Sequence, residues 1–218
     1  MDVNSRTSTS KSTKGLLYGL ILSLLMTLCT STPIPTNQPY LHYDSLVRHT
    51  SSLRHFHSEL YADFRRIRHG DPAIELSNFR IDGVPSVADL PNALTRLETQ
   101  EEELLEFYYI RLQAFKVVFG QLLSDELALD MVGNEDFSQR LNEAIVLLTR
   151  VLSRLRQTMQ GLGIAHEYDI FPVIPFTSNP NQTYLNMRIL LGMQELEGNL
   201  QETLSDFARL RNTHRGDS

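Results

Sequence analysis

Residues 97–137 read LETQEEELLEFYYIRLQAFKVVFGQLLSDELALDMVGNEDF, and the short connection inside them decides the fold. Leu97, Leu104, Tyr108, Leu112, Phe115, Phe119 and Leu122 are spaced seven, four, four, three, four and three apart, the return period of one helix face. A second such series begins at Phe137 and continues through Leu141, Leu148, Leu152, Leu155 and Met159. Between the two lie only residues 124–133, which reach ~33 Å when fully extended. A helix of 25–30 residues is ~40 Å long. The connection is too short to run back along a helix, so the two helices are expected to be antiparallel.

Working outward, a helix over 44–69 is expected after Asp44, a good N-cap, with Leu46, Leu53, Leu60, Phe64 and Ile67 on its stripe and Gly70-Asp71-Pro72 as its stop. The second helix is expected over 92–124, following Pro91, and the third over 134–161, ending at Gly161-Leu162-Gly163. A fourth is expected over 183–212, with Met187, Leu190, Met193, Leu200, Leu204 and Phe207 inward. The apolar run 170–176 contains two prolines and reads as an extended loop. The connections 70–90 and 162–182 can each stretch ~70 Å, enough to cross from end to end of a helix. One short link between two long crossovers predicts an all-α, long-chain four-helix bundle of up-up-down-down topology.

The N-terminus adds a compartment. Lys11 and Lys14 precede an apolar run of about 15 residues, below the ~18–20 needed to span a bilayer. Small Cys29 and Ser31 then stand at −3 and −1 of a cleavage after Ser31. Residues 1–31 are therefore expected to be a cleaved secretory signal and residues 32–218 the mature domain, with no membrane insertion once the signal is gone. Cleavage there removes the single cysteine and shifts the charge from −6 to 17 basic against 25 acidic residues, a net −8. An extracellular chain without disulfides must rely on apolar burial. Asn181-Gln182-Thr183 is a glycosylation sequon suited to the same compartment.

The charge excludes nucleic-acid binding as a first reading. No phosphate loop, nucleophile elbow or Cys/His pair is present, and no Glu-x-x-His pair of the di-iron bundles occurs. His42, His49, His55, His57 and His69 cluster on or beside the first helix; His55 and His57, two apart, point away from each other, and the group reads as surface histidines. The glutamates at 101–103, with Glu106, read as a solvated helix start. Phe107, Tyr108 and Tyr109 cannot all face one core. No catalytic residue, metal or cofactor is expected, and the chain is read as a non-enzyme. Tyr184, beside Arg188 at the start of the fourth helix, is the candidate interface anchor, because Tyr and Arg dominate binding hot spots.

Several segments resemble the ciliary neurotrophic factor and cardiotrophin-like branch of the interleukin-6-type cytokines. Gly70-Asp71-Pro72, followed by Leu76, Phe79 and Asp82-Gly83-Val84-Pro85, is similar to that branch's first crossover. Glu135-Asp136-Phe137 resembles the start of its third helix. Met193-Gln194-Glu195-Leu196 and Asp206-Phe207-Ala208-Arg209-Leu210 resemble the middle and end of its last helix. The resemblance implies a monomeric secreted ligand, of neurotrophic or growth-factor type, that triggers JAK-STAT signalling. Its partners would be a ciliary neurotrophic factor receptor-like alpha chain, a leukaemia inhibitory factor receptor-like chain and the shared family signalling receptor. One signalling chain would meet the outward faces of helices one and three. The alpha chain would sit near the end of helix four, implicating Asp206 and Arg209, and near the first crossover. The leukaemia inhibitory factor receptor reads an aromatic and a lysine three residues later; here those positions hold Tyr184 and Met187, with Arg188 next. The competing expectation is a secreted helical carrier of apolar small molecules, which would need an internal pocket.

Overall fold

Along α1 (Pro39–Phe64), Tyr43, Leu46, Thr50, Leu53, His57, Leu60 and Phe64 alternate in steps of three and four, and all are fully buried. These belong to the computed structural model of the chain, which describes residues 39–77, 79–129, 134–165, 176 and 181–216. The expected signal 1–31 and most of the proline-containing run 170–176 lie outside them. Helix α1 starts five residues earlier than expected, because Pro39 is compatible with a first turn. Asp44 is therefore inside the helix, paired with Arg48 at 3.2 Å, and is not its cap. The chain then makes one π-helical turn, Arg65–His69, before Gly70 ends it at φ +68° and donates its N–H to the Arg66 carbonyl. A π turn holds one more residue than an α turn. The inward position expected for Ile67 thus passes to Arg68: Ile67 is 56% exposed, while the Arg68 side chain is buried against Glu126.

The expected helix 92–124 is two helices. Asn92 caps α2 (Ala93–Glu98), its Oδ1 accepting the Thr95 N–H at 3.0 Å. Thr99 and Gln100 are extended, and α3 (Glu101–Ala128) starts afresh. The break uncouples Leu97 from the α3 stripe, leaving it 53% exposed and Arg96 buried in its stead. The remaining stripe, Leu104 to Leu122, is buried as spaced. Tyr108 and Tyr109 are both buried, because α3 packs against two neighbours and so buries a wide face; Phe107 is half-buried, with Arg111 over its ring at 5.7 Å.

Helix α4 (Asn134–Gly161) has the expected bounds and buries Phe137, Leu141, Leu148, Leu152, Leu155 and Met159. Helix α5 (Gln182–Gly216) buries Leu190, Met193, Leu200 and Phe207, but Met187 and Leu204 are only half-buried. Leu204 lines a surface groove with Ser51, Arg54, His55 and Ser58. Leu148→Ala is accordingly expected to cost about 3 kcal/mol and Leu204→Ala under about 1 kcal/mol, read from urea midpoints. The histidines also depart from expectation. His57 is fully buried and His42 is 7% exposed, since both fall on the inward side of α1; His55 alone keeps a largely exposed side chain, near Glu59.

Helices α1 and α3 each pack against both α4 and α5. His42 meets Gly161 and Phe64 meets Phe137 between α1 and α4. Asp44 meets Arg211 and Arg54 meets Glu197 between α1 and α5. Tyr108 meets Asp206 and Leu122 meets Gly192 between α3 and α5. Tyr43 reaches Glu101, and Arg68 reaches Glu126. The first connection lies along α5. The Val87 N–H donates to Glu195 Oε2 at 2.7 Å and the Leu76 N–H to Gln194 Oε1 at 2.8 Å. Gly198 permits this approach: a Cβ there would stand 2.4 Å from a Val87 methyl. Among the described residues every regular element is helical, and no helix is long and apolar enough to cross a membrane.

Candidate functional site

The residues singled out in the sequence lie at the two ends of α5. At its start the Asn181 Oδ1 accepts the Thr183 N–H at 2.8 Å and its carbonyl accepts the Leu185 N–H at 3.1 Å, which sets the first turn. Asn181 and Thr183 are exposed, so the sequon is accessible. Arg188 is not: it is 2% exposed and forks onto Asp125 of α3, Nε to Oδ2 and Nη2 to Oδ1, each at 2.5 Å. Gln121 donates to the same carboxylate at 2.8 Å. The Phe176 and Tyr184 rings each lie 5.5 Å from the Arg188 guanidinium. The expected exposed Tyr–Arg anchor is thus corrected: Arg188 serves the interior, and Tyr184 is half-buried over it, with Met187 likewise half-buried. The physical cause is the acidic pair Asp125 and Glu126 at the C-terminal end of α3, where the helix dipole disfavours negative charge. Arg188 and Arg68 neutralise it from two other segments.

At the far end of α5, Asp206 is also buried. Its Oδ2 accepts from Arg96 Nε at 2.8 Å and from the Tyr108 hydroxyl at 2.5 Å, so it too cannot face a partner directly. Burial, reinforced by the bond to Asp206, raises the Tyr108 pKa and keeps that hydroxyl a donor. Arg209 is half-buried; its Nε lies 3.7 Å from Asp206 Oδ1 and its Nη2 donates to the Arg96 carbonyl at 3.2 Å. Arg96 donates from Nη1 to the Pro91 carbonyl at 2.6 Å and also pairs with Glu202.

This network fixes a six-residue helix whose other side is apolar and open to solvent. Leu94 is 72% exposed and Leu97 is 53% exposed, one turn apart on α2. Sequence reasoning missed the pair because Leu97 fits the α3 stripe when the helix is read as continuous. The available signal was Thr99-Gln100, a non-apolar pair directly ahead of three acidic residues suited to a new helix start.

A separate groove of about 630 Å³ lies between the first connection and α5, lined by Tyr61, Phe79, Arg80, Ser86, Gln194 and Glu195 among others. It opens to solvent and carries mixed polar groups. No group of three His, Cys, Asp or Glu among the described residues is placed to hold a metal ion. Comparison with protein-family models, with curated proteins and with solved structures finds no significant match to the chain.

Proposed function

We propose that the chain is a secreted, receptor-bridging cytokine of neurotrophic type, built on a long-chain four-helix bundle with up-up-down-down course and two crossover loops. The paired residues support that course. Partners early in α1 lie late in α4 and α5, as with His42 and Gly161 or Asp44 and Arg211. Tyr43 and Glu101, and then Arg68 and Glu126, keep a constant offset of 58, as two parallel helices do. The ligand would assemble an alpha receptor with two signalling chains and so activate JAK-STAT signalling.

The observation that carries the reading is the solvent-facing Leu94–Leu97 pair on a helix locked from behind by Arg96. A rigid exposed apolar patch rimmed by charge suits macromolecular docking. The apolar carrier is less well supported, because the inter-helix space is filled by Leu53, Leu60, Phe115, Phe119, Leu148, Leu155, Leu190 and Leu200, all fully buried.

Leu94→Asp with Leu97→Asp is expected to weaken binding to the alpha receptor by thirtyfold or more, about 2 kcal/mol. Its melting temperature should stay within a degree or two of the parent. Titrations against isolated alpha-receptor and signalling-receptor ectodomains read this. Unchanged affinity for every ectodomain would remove α2 from the interface.

A further inference from the structure

We propose that His57 makes this fold acid-sensitive: the helical interior refuses a proton that the unfolded chain accepts at this position, so the native state loses stability as the medium falls from neutral towards pH 5. The proposal is independent of any receptor. His57 is fully buried on the inward stripe of α1. Its ring meets the Phe119 ring of α3 edge-on at 5.6 Å and the Tyr61 ring of its own helix at 6.2 Å, and neither ring nitrogen has a hydrogen-bond partner. A neutral imidazole tolerates this site. An imidazolium would place two donors and a full charge among aromatic and aliphatic carbons.

The neighbours offer nothing to relieve that charge. On α1, Arg54 is turned to Glu197 and Gln201, and Arg65 lies over the Tyr61 ring at 4.2 Å. Tyr61 is itself held protonated by burial. From α3 the facing group is Phe119. Helix α4 turns Ala144 and Leu148 to the core, and α5 turns Met193 and Leu196. Glu197 of α5 is occupied by Arg54, and its pKa is raised by burial. Burial alone pushes the His57 pKa from 6.5 down to about 3.

Two further histidines lean the same way. His42, against Gly161 where α1 meets α4, has its pKa lowered by burial. His69 closes the π turn beside Phe64, and its pKa is lowered by burial and by Arg68. The three bracket the length of α1.

Below pH 6.5 the unfolded chain takes up a proton at position 57 that the folded chain refuses, so stability present above 6.5 is lost as the pH falls towards 3. From pH 7 to pH 5 this single site raises the unfolding equilibrium constant about 25-fold.

The test is urea unfolding followed by circular dichroism at pH 7 and pH 5, on the parent chain, His57→Phe, His57→Gln and His55→Gln. Both His57 variants should lose about 25-fold from the parent's pH response, whereas His55→Gln, on an exposed residue, should keep it. An unchanged response in the His57 variants overturns the proposal. Proton NMR of the parent gives a reading that does not depend on any variant folding. The His57 ring signal should not titrate between pH 7.5 and 5, and a midpoint near 6.5 would equally overturn the proposal.

Discussion

Arg188→Met is expected to lower the unfolding free energy by about 3–5 kcal/mol, among the largest single effects in the molecule. The variant removes the guanidinium while leaving the Asp125 carboxylate 3% exposed, with Gln121 the remaining donor to it among the described residues. The parent pair gains two charge-assisted hydrogen bonds in fork geometry and cancels the charge at the end of α3. The loss therefore reflects a stranded charge more than a missing attraction. That distinction is measurable. Adding Asp125→Leu to Arg188→Met should restore most of the lost stability, because apolar replacement of a whole buried pair is often neutral. Urea denaturation of both single variants and the double variant reads the coupling. A double variant as unstable as the sum of the singles would mean that the two residues do not couple, and would overturn the stranded-charge account.

Arg96→Met should cost about 3–5 kcal/mol by the same logic applied to Asp206, and it should also weaken binding through α2. The hydrogen bond from the Tyr108 hydroxyl to Asp206 survives, as does the longer ion pair with Arg209 at 3.7 Å. Lost are the Arg96 side-chain bonds to Asp206, to Glu202 and to the Pro91 carbonyl; of the described ties between α2 and α5, the Arg209 donation to the backbone carbonyl of residue 96 remains. Leu94 and Leu97 would remain present but less firmly held. The expected result is a lowered urea midpoint together with tenfold or greater loss of alpha-receptor affinity under conditions where the variant is folded. Leu94→Asp with Leu97→Asp should give the affinity loss without the stability loss, and the contrast separates contact from support. Parent affinity in folded Arg96→Met would show that the network is structural alone.

The helices were legible because burial repeats at helical spacing, and residues such as Leu141, Leu148 and Leu155 have no other periodicity to satisfy. Two faults came from backbone phase. The π turn at 65–69 and the extended Thr99-Gln100 each shift a helix face by a fraction of a turn, which a tally of apolar positions does not register; Ile67 and Leu97 were misplaced for that reason. The site was less legible. Charged residues read as solvated by default, and the partners that reverse this for Arg188 and Arg96 lie 63 and 110 positions away. His57 was hidden similarly: its spacing from Thr50 and Phe64 marks it as inward, but its polarity argued the opposite.

The π turn works like a vernier. Upstream of it the three-four beat of α1 runs unbroken from Tyr43 to Phe64; within it the next inward position arrives one residue late, at Arg68, before Gly70 ends the helix. What delivers Arg68 to Glu126 is therefore a count of residues, not the identity of any one of them. Removing one residue between Phe64 and Gly70 should therefore turn the π turn into an α turn and leave the arginine inward, three positions after Phe64. Regularising the turn without a deletion would instead swing Ile67 inward, turn Arg68 out to solvent and strand Glu126 at the end of α3.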